Sequence, residues 1–290
     1  MLIRRVVLTG VLAVLAGVQA LAVTPIASCG FTISAAGNYV VTADLTCNGT
    51  AITINASNVS VNLNGHIITS VAGVPGDGIS MGSAPPSPRL NHVGISGPGL
   101  IRGFSGGIQM FDSDYVQVSL TTVAGNTFGG LYASGVNYLT LGGNVIAENQ
   151  GFGGVLLVNS TGDQVTGNQV VANATGIVLG SGDSDVITGN VVSGNSGSGI
   201  ILGVVGSAYP LTNSRVSSNT TNGNGTSGIG SGIQVVSLVV GSSGNEIFSN
   251  LSSVGNMTWD LEDDNAPPPC GTDFWSGNSF FTRSPASCVK

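Results

Sequence analysis

Five aspartates punctuate the middle of the chain, Asp112, Asp114, Asp163, Asp183 and Asp185, and two share a register: Asp163 and Asp185 each stand nine residues after a recurring glycine, Gly154 and Gly176. Carboxylates stacked on neighbouring turns of a repeat can share a hard cation such as calcium, so Asp163 and Asp185 are the candidate metal ligands. The same position suits a turn, where Asp accepts hydrogen bonds from nearby backbone amides without a metal; on that simpler reading no cofactor is required. Basic residues are few. Arg102 and Arg215 lie within the repeats and Arg89 ends a proline-rich excursion, Ala84-Pro85-Pro86-Ser87-Pro88-Arg89. Arg102, Asp112 and Asp114 are the candidate catalytic residues, as groups able to hold or move a proton. Tyr115 and Tyr138, each eight residues after its glycine, are the candidate substrate-binding residues. Pointing outward they would lie against sugar rings; pointing inward they would fill a core. His66 and His92 are too scattered to form a metal site.

What positions these residues is a repeat. Gly107-Ile108, Gly130-Leu131, Gly154-Val155, Gly176-Ile177, Gly199-Ile200 and Gly232-Ile233 recur at intervals of 23, 24, 22, 23 and 33 residues. Apolar residues stand one and three places after each glycine, as in Ile177 and Leu179, and again at Val118, Leu141, Val165 and Ile187. This period-2 alternation, with many Gly, Ser, Asn and Thr between, describes short strands joined by turns. Each unit is one rung of a coil, and rungs stacked in parallel lie about 4.8 Å apart, so that equivalent residues form ladders. Two asparagine columns fit such ladders, one at Asn144, Asn168, Asn190, Asn213 and Asn245, the other at Asn126, Asn149, Asn173, Asn195, Asn219 and Asn250. An amide both donates and accepts, and Asn tolerates left-handed turns. The columns are therefore structural, with Asn168 expected opposite Asn190 and Val165 on Ile187.

Two stretches, residues 176–190 (Gly-Ile-Val-Leu-Gly-Ser-Gly-Asp-Ser-Asp-Val-Ile-Thr-Gly-Asn) and the opening Val61-Asn62-Leu63-Asn64-Gly65-His66-Ile67-Ile68, resemble the right-handed parallel β-helix repeat proteins of the pectate-lyase-like superfamily. Their likeness is to a secreted bacterial subgroup of unknown activity. The resemblance covers most of the chain and implies an all-β fold, a single-stranded right-handed parallel β-helix. That architecture is shared by pectate lyases, polygalacturonases and alginate epimerases, and one fold hosts many activities. A calcium-dependent lyase of this kind needs carboxylates around the metal and an Arg or Lys to remove a proton; no group of carboxylates is legible in a groove beside Arg89, Arg102 or Arg215. A polygalacturonase-like hydrolase needs paired aspartates near the middle of the helix. The one adjacent pair, Asp263-Asp264, lies toward the end of the chain, distant in sequence from both histidines.

Residues 1–22 carry Arg4 and Arg5, an apolar run and Ala20-Leu21-Ala22, the form of a secretory signal peptide. Removing them leaves 5 basic against 14 acidic residues, a formal charge of −9, which argues against nucleic acid as a partner. No later segment is apolar for long enough to span a bilayer. Four cysteines in a secreted chain make two bridges, here Cys29 with Cys47 and Cys270 with Cys288, each stapling one end. A competing form, Ile26-Ala27-Ser28-Cys29, is that of a lipoprotein box with Cys29 as the anchored residue. The expected division is a leader (1–22), an N-terminal cap (23–50), repeats (51–259) and a C-terminal cap (260–290), in a monomer.

Regularity breaks at the proline-rich excursion, in the long unit after Gly199, whose surplus is expected near residues 220–231, and at the acidic run Asp260, Glu262, Asp263 and Asp264. Function on a solenoid gathers where residues are free of stacking duty. The expectation is a secreted, non-catalytic scaffold that meets an extracellular polysaccharide or another surface along the early rungs. The alternative is a divergent polysaccharide lyase or epimerase acting on an acidic polysaccharide.

Overall fold

Gln164–Thr166 shows in three residues how the chain works: Val165 points inward while Gln164 and Thr166 face out, as strand alternation dictates. The chain turns at Gly167 (φ 65°), runs through Gln169–Val171, turns again at Ala172 (φ 55°) and returns along Ile177–Asp183. The next rung then begins at Val186–Thr188, paired in parallel with Gln164–Thr166. In this computed structural model, residues 22–82, 88–203, 209–236, 242–253, 255–264 and 271–290 are described; most of the expected leader, part of the proline-rich excursion and Cys270 lie outside them. The three strands of each rung stack into sheets of thirteen, eleven and nine strands among the described residues. Every pairing is parallel, as in Ile177 with Ile200 or Val170 with Val192.

The interior is a set of apolar columns, such as Val118, Leu141, Val165, Ile187 and Val216, all buried. The recurring glycines are dictated by close approach. A Cβ on Gly130 would lie 2.6 Å from the Gly154 carbonyl oxygen, and one on Gly199 the same distance from that of Gly232.

The Asn ladders are present. Asn168 Nδ2 donates to Asn190 Oδ1 at 3.0 Å, and Val165 pairs with Ile187. Their later members differ from the sequence reading. One ladder runs Asn144, Asn168, Asn190, Asn219, Asn250 and Asn278; the other runs Asn126, Asn149, Asn173, Asn195, Asn224 and Asn256. Asn213 and Asn245 belong to neither. The reason is where the long unit grows: the offset between paired residues is 23 at Ile177 and Ile200, already 29 at Val186 and Arg215, and 33 at Ile200 and Ile233. More than half the surplus therefore enters between Leu202 and Leu211, before the stretch at 220–231.

The segments expected as caps contribute strands to the same sheets, among them Gly37–Val41 and Leu45–Cys47 at one end and Leu261–Asp263 and Phe274–Ser276 at the other. Cys29 is bonded to Cys47, so its sulfur is not free to carry a lipid. Cys288 is also in a disulfide.

Candidate functional site

Where eight successive rungs enter the eleven-strand sheet, the corner residue has a left-handed backbone. Down the coil these are Asn58 (φ 57°), His92 (57°), Tyr115 (55°), Tyr138 (56°), Gly162 (73°), Ser184 (60°), Asn213 (52°) and Gly244 (69°). Gly and Asn take this conformation easily, whereas a bulky side chain there costs about 1–3 kcal/mol. Three successive positions nonetheless carry rings. His92 stacks on Tyr115 (centroids 5.0 Å apart, planes at 18°) and Tyr115 on Tyr138 (4.9 Å, 10°). Tyr115 and Tyr138 are each 50% exposed, so they stand outside the core.

Their faces, however, are turned to one another. The far side of Tyr138 covers Gly162, where a Cβ would come within 2.9 Å of the ring. Rung spacing close to ring-stacking distance forces this, and it corrects the expectation of sugars lying flat on both tyrosines: the edges of the column meet solvent. His92 and Tyr115 also wall a hollow of about 330 Å³ lined by Asn38, Asn58, Ser60, Gly94 and Gln117. Small and amide side chains dominate this outer face of the eleven-strand sheet.

Next to the column, Arg89 donates from Nε and Nη2 to the two carboxylate oxygens of Asp114 (2.9 and 2.7 Å) and from Nη2 to the carbonyls of Ser113 (3.0 Å) and Gly135 (2.7 Å). Asp112 lies 3.6 Å from Nη1, and Asn137 donates to Asp114 at 2.9 Å. Hydrogen bonds from the guanidinium hold the Asp114 carboxyl below its ordinary range. Arg89 acts as a clamp across two rungs.

Arg102 is elsewhere. It ends Leu100–Arg102 in the nine-strand sheet, beyond the turn at Gly103 (φ 74°), and lines a shallow hollow with Thr69, Leu100 and Glu148. The structure thus brings Asp112, Asp114, Tyr115 and Tyr138 together but sets Arg102 on another side of the coil. Arg89, His92 and, further along, Tyr209 are the neighbours that sequence reasoning did not assign to the site.

Asp163 and Asp185 sit on adjacent rungs, as their register indicates, but inside. Asp163 Oδ1 accepts from the Leu139 amide (2.8 Å) and Asp185 Oδ1 from the Asp163 amide (2.9 Å), while Oδ2 of each has no partner. Burial, with the Asp185 charge adding to it, pushes the Asp163 carboxyl up to about 8; burial pushes Asp185 up to about 7. Among the described residues, no three His, Cys, Asp or Glu side chains are grouped to hold a metal ion.

Residues 100–250 match the family described as right handed beta helix region, a stretch longer than half the chain. The chain belongs to the right-handed β-helix family. Solved structures share its fold. The Dettilon tailspike protein is 18% identical (TM-score 0.52, covering 88% of this chain and 58% of the tailspike). A tailspike protein mutant of E. coli bacteriophage HK620, in complex with a pentasaccharide, is 15% identical (TM-score 0.54, 90% and 50%). An alginate lyase from Paenibacillus sp. is 14% identical (TM-score 0.50, 92% and 97%). This β-helix chain therefore spans only about half the length of the two tailspikes. No curated protein matches the sequence significantly.

Proposed function

We propose that this β-helix protein is a secreted, non-catalytic scaffold that holds an extracellular polysaccharide along the edge formed by His92, Tyr115 and Tyr138. The observation that carries the reading is three stacked rings on left-handed backbone, two of them half-exposed, where Asn or Gly would serve the coil with less strain. The amide-rich hollow beside His92 supplies donors and acceptors of the kind sugar hydroxyls need. Structures of the same fold named as an alginate lyase and as a tailspike with a bound pentasaccharide support a glycan as the partner. A formal charge of −9 after loss of the leader favours neutral sugars over uronates, which the protein's own field repels. A disulfide at Cys29 suits an oxidising compartment, and no helix among the described residues is long and apolar enough to cross a membrane.

With Arg102 as base, the lyase or epimerase alternative draws its base and carboxylates from different sides of the coil. Arg89 does lie beside Asp112 and Asp114, but its guanidinium is taken up by Asp114 and by the Ser113 and Gly135 carbonyls. Native electrophoresis through gels containing galactomannan, xylan, dextran, alginate or polygalacturonate tests the reading, together with absorbance at 235 nm with and without calcium. Retardation by a polysaccharide without new unsaturated ends is the expected result. Absence of retardation in every gel would overturn it, and so would absorbance growth that is abolished by Arg102→Ala or Asp114→Ala.

A further inference from the structure

The aromatic edge continues past Tyr138. The Tyr138 amide donates to the Thr161 carbonyl at 2.9 Å, its ring lies across Gly162, and the next feature on the same side is a cleft of about 520 Å³ lined by Asn159, Thr161, Asp183, Tyr209, Pro210 and Thr212. We propose that this cleft is a second sugar subsite on the same path, so that the ligand is a linear polysaccharide engaged over at least four consecutive sugars. The inference rests on the glycan reading above and deepens it.

Three observations carry it. Tyr209 is 61% exposed and, with Pro210, gives the cleft a wall of the kind that packs against a pyranose ring. Asp183 accepts from Thr212 Oγ1 (2.6 Å), Ser184 Oγ (2.7 Å) and Asn213 Nδ2 (2.7 Å). These bonds hold it in the ionised form, below the ordinary carboxylate range, with one lone-pair direction left for a sugar hydroxyl. Finally, Tyr209 and Pro210 follow directly on the residues that lengthen this unit after Leu202, and the Pro210 carbonyl, accepting from the Gly182 amide at 3.0 Å, fixes that end of the surplus to the coil beside the cleft.

Length follows from the coil. His92 and Ser184 lie four rungs apart, roughly 19 Å at about 4.8 Å per rung, the reach of about four sugars of roughly 5 Å each. The two hollows flank the tyrosine pair, one at each end of that span. A monosaccharide or disaccharide would fill one hollow and leave the other empty.

The test uses whichever of galactomannan, xylan or dextran retards the parent protein, with its dimer and hexamer as competitors. Tyr209→Ala, checked for unchanged far-UV circular dichroism and melting temperature, is expected to weaken retention by about two- to tenfold, the equivalent of one lost ring contact. The hexamer is expected to compete at least about tenfold better than the dimer, because only it occupies both hollows at once. If Tyr115→Asn with Tyr138→Asn weakens retention while Tyr209→Ala does not, or if the dimer competes as well as the hexamer, the second subsite is wrong and the first stands. If the parent is retarded by none of the gels, both fall.

Discussion

At the scale of single residues, the buried Asp pair is best understood against the Asn ladder beside it. Asn168 Nδ2 donates to the Leu141 carbonyl at 2.9 Å and to Asn190 Oδ1 at 3.0 Å. Asp163 and Asp185 keep the accepting Oδ1 of such a ladder but present an unpartnered Oδ2 where an amide would donate. Only a proton on Oδ2 lets a carboxyl imitate that amide, which agrees with ionisation displaced to about 8 and about 7. The linkage has one sign. Below about pH 4 the carboxyls are protonated in both folded and unfolded chains; as pH rises through 3.8 the unfolded chain ionises while the fold keeps its protons, so stability falls up to about pH 8. Asp163→Asn with Asp185→Asn is expected to flatten melting temperature between pH 4 and 8 and to raise it at pH 8; unchanged pH dependence would contradict the account. Asn190 makes the converse case. It accepts from Asn168 and donates to Asn219 and to the Val165 carbonyl, so Asn190→Leu should cost about 1–3 kcal/mol in urea denaturation for the buried groups left unpaired.

At the scale of the rung, the glycine and tyrosine spacings are geometric requirements. Gly130→Ala would drive a methyl into the Gly154 carbonyl from a position also hemmed by Asn149 and Ile146. A loss of about 1–3 kcal/mol is expected, and a melting temperature equal to the parent's would refute the close-approach explanation. The recurring Gly-Ile pairs, the inward apolar columns and the shared register of Tyr115 with Tyr138 were legible because each is a strictly repeated contact. His92 stands 23 residues before Tyr115, the same interval that separates Tyr115 from Tyr138; the signal exists but is missed when His92 is weighed only as a metal ligand, and rejected as one, and not as a ring. The Asn columns slipped by one ladder after Asn190 because sequence spacing does not say at which corner an insertion enters. Arg89 on Asp114 was not legible at all. A side chain brought in by an excursion follows no repeat.

At the scale of the whole molecule, a solenoid is weakest at its ends, and the two ends here differ. The Cys29–Cys47 bridge ties the N-terminal rungs across 18 residues. Toward the other end Cys288 is also in a disulfide, and the apolar core through Ile247, Leu261 and Trp275 is joined by buried polar contacts, Thr221 donating to Ser252 and Trp275 to Asp263. Cys29→Ser with Cys47→Ser should lower stability by about 3 kcal/mol through the entropy of the opened chain. Hydrogen exchange should then show the loss of protection concentrated at Gly37–Val41 and Leu45–Cys47; uniform loss along the coil would contradict that view. Along the whole coil, the ring column is either a ligand edge or a structural ladder. Tyr115→Asn with Tyr138→Asn decides it, since Asn58 and Asn213 occupy the same corner on other rungs with the same backbone and the variant should fold. Measured by native electrophoresis through the retarding polysaccharide, the variant is predicted to lose at least about tenfold in retention while its melting temperature stays within a few degrees of the parent's. Retention equal to the parent's in a folded variant, or collapse of the fold itself, would contradict the claim that this edge exists to meet a glycan.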